Sequence, residues 1–258
     1  MSPSIDAATA RVLDAIGVQS IIAPGSGCCG AIRQHLDDQS GARDDFRRNI
    51  DAWWPLIESA EVEAILINAS GCGAMVAEYA HLLHDDPAYA HKAQRVVELA
   101  RDVAEFVPQA IAAAGVGAGA ATGTPGHSKT LATHRPPPQA AAFGNPAVRV
   151  AFHPPCTLQH ALKIRGKVEA LLVTLGAELV PVRDTHLCCG SAGTYSLLQP
   201  ELSQGLRARK LETLLENRPQ AVLSANIGCI THLQGATETP VLHWIEWVDE
   251  VLRQQTAP

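Results

Sequence analysis

Residues 166–190 read GKVEALLVTLGAELVPVRDTHLCCG, and residues 8–30 read ATARVLDAIGVQSIIAPGSGCCG. Both run in the same order. An amphipathic helical stretch stops at a glycine, Gly176 or Gly17, placed as a C-cap. A short apolar strand follows, and then an adjacent cysteine pair with glycine behind it. Gly17 lies 11 positions before Cys28, and Gly176 lies 12 before Cys188. The likeness continues. Each copy next has a helical stretch, Asp44 to Ile57 or Leu202 to Glu216. Each then has an apolar strand and a small-residue loop holding one cysteine, EAILINASGCG at Cys72 and QAVLSANIGCI at Cys229. Cys29 to Cys72 is 43 positions and Cys189 to Cys229 is 40. This is an internal duplication of an α/β unit. Strands alternating with helices predict small, mainly parallel sheets with helices packed on them.

Between the copies, residues 108–147 consist mostly of Ala, Gly and Pro with almost no large apolar side chains. Such a composition buries too little surface to offset its ordering entropy, so a flexible linker is expected there. The domains are then 1–107, a linker over 108–147, and 148–258.

Of the 258 residues, 47% are apolar and 18% charged, with a net charge of −6, so a sizeable core is possible and a basic nucleic-acid surface is not expected. No apolar run reaches the roughly 20 residues of a membrane helix. The N-terminus shows no signal-peptide pattern, so a cytoplasmic location is expected, where seven cysteines point to metal or catalysis rather than disulfides.

In the second copy Cys156, Cys188, Cys189 and Cys229 come from three separate loops. Four thiolates converging in this way suit a soft metal centre, above all an iron–sulfur cluster. Gly190, Gly193 and Gly228 would let backbone N–H groups approach the sulfurs. Zinc is the competing metal, although adjacent cysteines depart from the usual two-to-four-residue spacing of zinc ligands. The first copy offers Cys28, Cys29 and Cys72 and nothing matching Cys156. That site is one thiolate short as written, or the true chain is longer at its N-terminus. His153, His186 and His232 lie near the cysteines in sequence. His232, three residues after Cys229, is a possible fifth ligand or a neighbour of the ligands, and Met75 takes its place in the first copy. The pairs Trp53-Trp54 and Trp244-Trp247 read as core or subunit interface. A nucleophilic cysteine served by His186 and Asp184 is the weakest alternative. No dinucleotide fingerprint, Walker loop, nucleophile elbow or zinc-protease motif is present.

These residues carry a resemblance. The pattern C-(about 30)-CCG-(about 40)-C resembles the CCG domain of heterodisulfide reductase B subunits and of iron–sulfur subunits of flavin dehydrogenases. Within that group the chain is most similar to glycolate oxidase (glycolate dehydrogenase) iron–sulfur subunits, through NIDAWWPLIE, INASGCGAMVAEY, CTLQHALKIRGKVEALL, HLCCGSAGTYSLLQPEL, ANIGCITHLQ and HWIE. The resemblance implies tandem CCG-type α/β units. It implies an iron–sulfur cluster, of 4Fe–4S type, on Cys156, Cys188, Cys189 and Cys229, with an incomplete set on Cys28, Cys29 and Cys72. It also implies electron transfer from a flavin (FAD) partner subunit, which oxidises glycolate to glyoxylate, towards the quinone pool. The chain itself would carry no catalytic residue and no activity alone. It would be cytoplasmic or peripheral on the inner face of the cell membrane. A zinc-bound docking subunit, or a subunit for lactate or another 2-hydroxy acid, is the alternative. Two departures stand out. The family's ferredoxin-type half is not in this sequence, and the fifth cysteine of the heterodisulfide reductase pattern is replaced by Met75 or His232.

Overall fold

The computed structural model describes residues 2–60, 62–115 and 148–255. The first repeat comprises α1 (Pro3–Ala15), α2 (Ala31–His35), α3 (Gln39–Glu58), β1 (Ile65–Ile67), α4 (Ser70–Ala77), α5 (Tyr79–Leu82), α6 (Ala90–Leu99), β2 (Ala100–Asp102) and α7 (Val103–Ala114). The second has β3 (Arg149–His153), a π-helical turn (Thr157–Ala161), α8 (Lys167–Thr174), β4 (Glu178–Leu179), α9 (Tyr195–Leu198), α10 (Pro200–Leu215), β5 (Ala221–Ser224), α11 (Ile227–Gln234), β6 (Val241–His243) and α12 (Trp244–Gln255).

All strand pairs are parallel. The second repeat forms a sheet in the order β4-β3-β5-β6, and among the described residues the first has β1-β2. The duplicated α/β architecture expected from sequence is therefore present, with one difference. Gly17 and Gly176 both take left-handed backbone and end their helices, at φ 76° and 95°. After Gly176 the chain enters β4, but residues 18–22 form no strand, and Ile21 and Ile22 are 50% and 89% exposed. The reason lies in the pairing. β4 bonds only to β3, and among the described residues nothing occupies the place of β3 in the first repeat. Apolar character alone does not make a strand when no neighbour supplies the ladder. For the same reason β5 is wholly buried, whereas the equally apolar β1 is half-buried along its length.

The expected linker begins too early. Residues 103–114 are helical, with Asp102 as N-cap accepting from Ala104 N–H at 2.8 Å. Val107 and Ile111 are buried, and left-handed Gly115 ends the helix. Alanine is the strongest helix former, so an Ala-rich stretch with two apolar anchors folds onto a core despite Pro108. The rest of the expected linker, 116–147, lies outside the described residues.

The repeats exchange helices. α1, which opens the first, packs on α12, which closes the second, and α7 packs on α8. Each contact carries an ion pair. Arg11 clamps the buried Asp249 carboxylate through Nε and Nη2, and Lys167 Nζ lies 2.6 Å from Glu105. One continuous core consequently holds Val12, Leu13, Val107 and Ile111 together with Phe152, Leu172, Trp244 and Val248. A smaller cluster around Phe46, Ile50, Tyr79 and Val96 belongs to the first repeat.

Leu13→Ala empties a 2%-exposed position of the shared core and should cost about 2–5 kcal/mol. Urea unfolding read through Trp244 and Trp247, in a Trp53→Phe, Trp54→Phe background, should show the shift although the substitution is in the other repeat. An unchanged midpoint would mean that the halves unfold separately.

Asp102 gives a pH prediction. Its Oδ2 is buried without a hydrogen-bond partner, and desolvation pushes the carboxyl up to about 7. A raised carboxyl stabilises the fold fully below the unfolded-state value, near 4. That contribution fades as pH rises to about 7. Asp102→Asn should therefore match the parent at pH 4, and its advantage in thermal midpoint should grow up to pH 7 and then level off.

Candidate metal centre

The second repeat gathers its four cysteines at the C-terminal ends of its strands, where open α/β sheets place their sites. Cys156 follows β3 and sits at the head of the π-helical turn. Cys188 and Cys189 follow β4. Cys229 lies in the first turn of α11 rather than in a loop, because Asn226 caps that helix by accepting from Gly228 N–H. Helix N-termini favour anions, so this placement suits a thiolate.

The cysteine pair is held by its glycine. Gly190 has φ 91°, and a Cβ there would lie 2.4 Å from the Ser203 carbonyl on α10. Ser203 Oγ in turn donates to Gly190 O at 2.8 Å. This lets the loop press against α10 and turns Gly190 N–H onto Cys188 Sγ, at 3.3 Å.

The sulfurs form a chain of hydrogen bonds with alternating character. Cys188 is driven strongly down by donation from Cys156 and then from Cys189, with Gly190 N–H adding to it. Cys229 falls to about 5, chiefly through the bond from Cys189 and against the effect of burial. Cys156 and Cys189 are pushed up, because each gives its proton to a neighbouring sulfur and is also desolvated. A metal centre would hold all four as thiolates and displace the protons they share.

His153, the last residue of β3, completes the group. Its ring nitrogen lies with the sulfurs of Cys189 and Cys229 in a set whose atoms are all within 4.8 Å, and all three residues are buried. Both its ring nitrogens lack a hydrogen-bond partner. A buried imidazole that lies against the cysteine sulfurs and helps hold Cys229 low fits a thiophilic metal or cluster.

Of the two readings open for His232, the structure places it as a neighbour of the ligands, and the histidine beside the sulfurs is His153. His232 Nε2 is 3.2 Å from Ser203 Oγ, one step behind Gly190, and His232 is not in the metal-binding set. At i+3 from Cys229 it projects from the next turn of α11 toward α10. The available signal for His153 was its place at the end of the strand that carries Cys156. His186 is exposed. Trp244, Trp247 and Met75 are core residues, and Trp53 Nε1 donates to Ser26 Oγ in the first cysteine loop.

In the first repeat, Cys29 falls to about 6, principally because Cys72 donates to it, and Cys72 is correspondingly raised. Cys28 is exposed. The two centres adjoin. Ser70 N–H donates to Ala225 O at 3.1 Å, and Ser70 Oγ is 2.8 Å from Thr157 Oγ1. Ser70 stands two residues before Cys72, and Thr157 stands next to Cys156.

A duplicated α/β fold with adjacent-cysteine loops defines a class, and the comparison with known proteins agrees. The chain belongs to the cysteine-rich (CCG) domain family, whose pattern matches residues 1–77 and 150–234. Among relatives, it is 45% identical over 255 residues to the glycolate oxidase iron-sulfur subunit of Escherichia coli strain K12, covering 99% of this chain and 56% of that protein. It is 26% identical over 228 residues to the probable glycolate oxidase iron-sulfur subunit of Bacillus subtilis strain 168, covering 88% and 45%. It is 25% identical over 237 residues to lactate utilization protein A of Bacillus licheniformis, covering 90% and 84%. The chain spans about half the length of the glycolate oxidase relatives. Among the described residues no helix is long and apolar enough to cross a membrane.

Gly190→Ala and Gly193→Ala separate strain from collision. Both positions have positive φ, but a Cβ at Gly193 meets nothing within 4 Å. Gly193→Ala should cost about 1–2 kcal/mol and keep the metal site. Gly190→Ala must also displace the Ser203 carbonyl, and should lose both stability and metal content.

Proposed function

We propose that this chain is the cluster-binding CCG part of the iron–sulfur subunit of a 2-hydroxy-acid dehydrogenase, with glycolate the substrate of the whole complex. Electrons leave glycolate at a flavin subunit, pass through the site on Cys156, Cys188, Cys189 and Cys229, and continue towards quinone. The observation that carries this reading is the grouping of the buried Cys189, Cys229 and His153 with the half-buried Cys156 and Cys188 at the ends of the strands. The relatives' names support the iron–sulfur assignment, and the higher identity to the glycolate proteins than to the lactate protein favours glycolate.

A 4Fe–4S cluster at this site supplies one-electron chemistry. The protein holds it through the four cysteines, shields it by burying Cys189 and Cys229, and directs the Gly190 N–H at a sulfur. Cys28, Cys29 and Cys72 are the ligands this sequence offers to a second, incomplete site. The chain works on the cytoplasmic face of the membrane through its partners and has no activity without them. FAD belongs to a partner subunit. Zinc bound by His153 with Cys189 and Cys229 is the second reading, favoured by the closeness of those three atoms.

Purification without oxygen decides between the metals. The cluster reading expects brown protein with iron and acid-labile sulfide in equal amounts. The zinc reading expects colourless protein, since Zn²⁺ has no redox chemistry and a filled d shell. Cys189→Ser should remove most of the iron and Cys29→Ser little of it. Equal loss from both variants would show that the two sites are not different. Glycolate-dependent quinone reduction should appear only when flavin subunits are added, and lactate assayed in parallel tests the substrate.

A further inference from the structure

Lys210 on α10 is not a ligand, yet it is completely buried. Its Nζ donates to the carbonyls of Asp184 and Thr185 at 3.0 and 3.2 Å, in the segment leading into the cysteine pair. Burial pushes the Lys210 ammonium down from its ordinary value, and the negative charge of the cysteine group and Asp184 works against that. Burying an ammonium is expensive unless negative charge lies close by.

In the first repeat the buried group that holds the loop is neutral, with the half-exposed Arg48 Nη2 also donating to Cys28 O at 3.3 Å. In each repeat a carbonyl of the packed helix backs the glycine of the CCG turn. Ala42 O would be 3.2 Å from a Cβ on Gly30, and Ser203 O 2.4 Å from one on Gly190. Seven residues beyond those carbonyls stand Asn49 and Lys210. Asn49 is also buried. Its Oδ1 accepts from Gly27 N–H and its Nδ2 donates to Cys28 O, both at 2.8 Å. A neutral amide therefore staples the first loop, and an ammonium staples the second. The cation near the first site is Arg48, which is 44% exposed and paired with Asp45 at 2.7 Å, so its field is largely spent.

We propose that Lys210 supplies a fixed positive charge behind the four-cysteine site and raises the reduction potential of the centre bound there. On reduction the centre takes up one electron and one unit of negative charge. Lys210 keeps its protons, and no bond to it forms or breaks. A cation in a low-dielectric setting stabilises the more negative state, and net charge is one of the known determinants of cluster potential. The inference rests on the iron–sulfur reading of the site.

The test is a potentiometric titration with dithionite of the full chain, purified without oxygen and followed by visible absorption and electron paramagnetic resonance. Lys210→Gln should bind as much iron and sulfide as the parent. Its equilibrium constant for reduction should fall at least about tenfold, which is 59 mV for a one-electron couple. Lys210→Arg, which keeps the charge, should stay within about a third of that shift. Loss of the cluster from Lys210→Gln while Lys210→Arg stays loaded would also assign the role to charge. An unchanged potential in loaded Lys210→Gln would overturn the proposal, as would equal effects in both variants, including equal loss of the cluster. Parent protein without iron and sulfide would overturn the cluster reading and this inference with it, whereas a loaded parent with an unresponsive Lys210→Gln would overturn this inference alone.

Discussion

The backbone of Gly190 lies against the carbonyl of Ser203 where any other residue would place a Cβ. That contact brings α10 against the cysteine pair and points a backbone N–H at Cys188. It also sets Ser203 between Gly190 and His232, and it carries Lys210 to the rear of the loop. Moving the loop outward by a methyl group would loosen all of these. Gly30 repeats the arrangement against Phe46 and Ala42 in the first half, which explains why both copies need glycine directly after the pair.

Exchange of helices makes the two copies one structure. Because α1 seats on α12 and α7 on α8, neither repeat closes its apolar surface alone. The C-terminal ends of β1 and β5 are thereby drawn together, and the Ser70 bonds to Ala225 and Thr157 bring the loops of Cys72 and Cys156 side by side. The junction places both cysteine groups beside one another rather than at the ends of separate bodies.

The copies are alike in outline and different in chemistry. The second has four sulfurs, a buried imidazole without a partner and a buried ammonium. The first has three sulfurs, one of them exposed, and an amide. The missing strand accounts for part of this, since β3 carries His153 and leads to Cys156.

The sequence by itself determined the duplication, the parallel α/β class, the capping glycines and the seven cysteines, because each is written in spacing and local backbone preference. It mistook the start of an Ala-rich segment for linker, since composition does not tell whether Val107 and Ile111 find a core to anchor them. It placed a strand over residues 18–22, since strand formation depends on a partner and not on apolar content. It named His153, His186 and His232 without telling which would lie beside the sulfurs, since nearness in the chain to a cysteine says little about which side chain reaches it across a sheet. Lys210 and Asp102 were silent in the sequence, because a charged residue shows its burial only after the helices have packed around it. Local order was legible along the chain, and only the tertiary structure decided which groups meet across strands and helices.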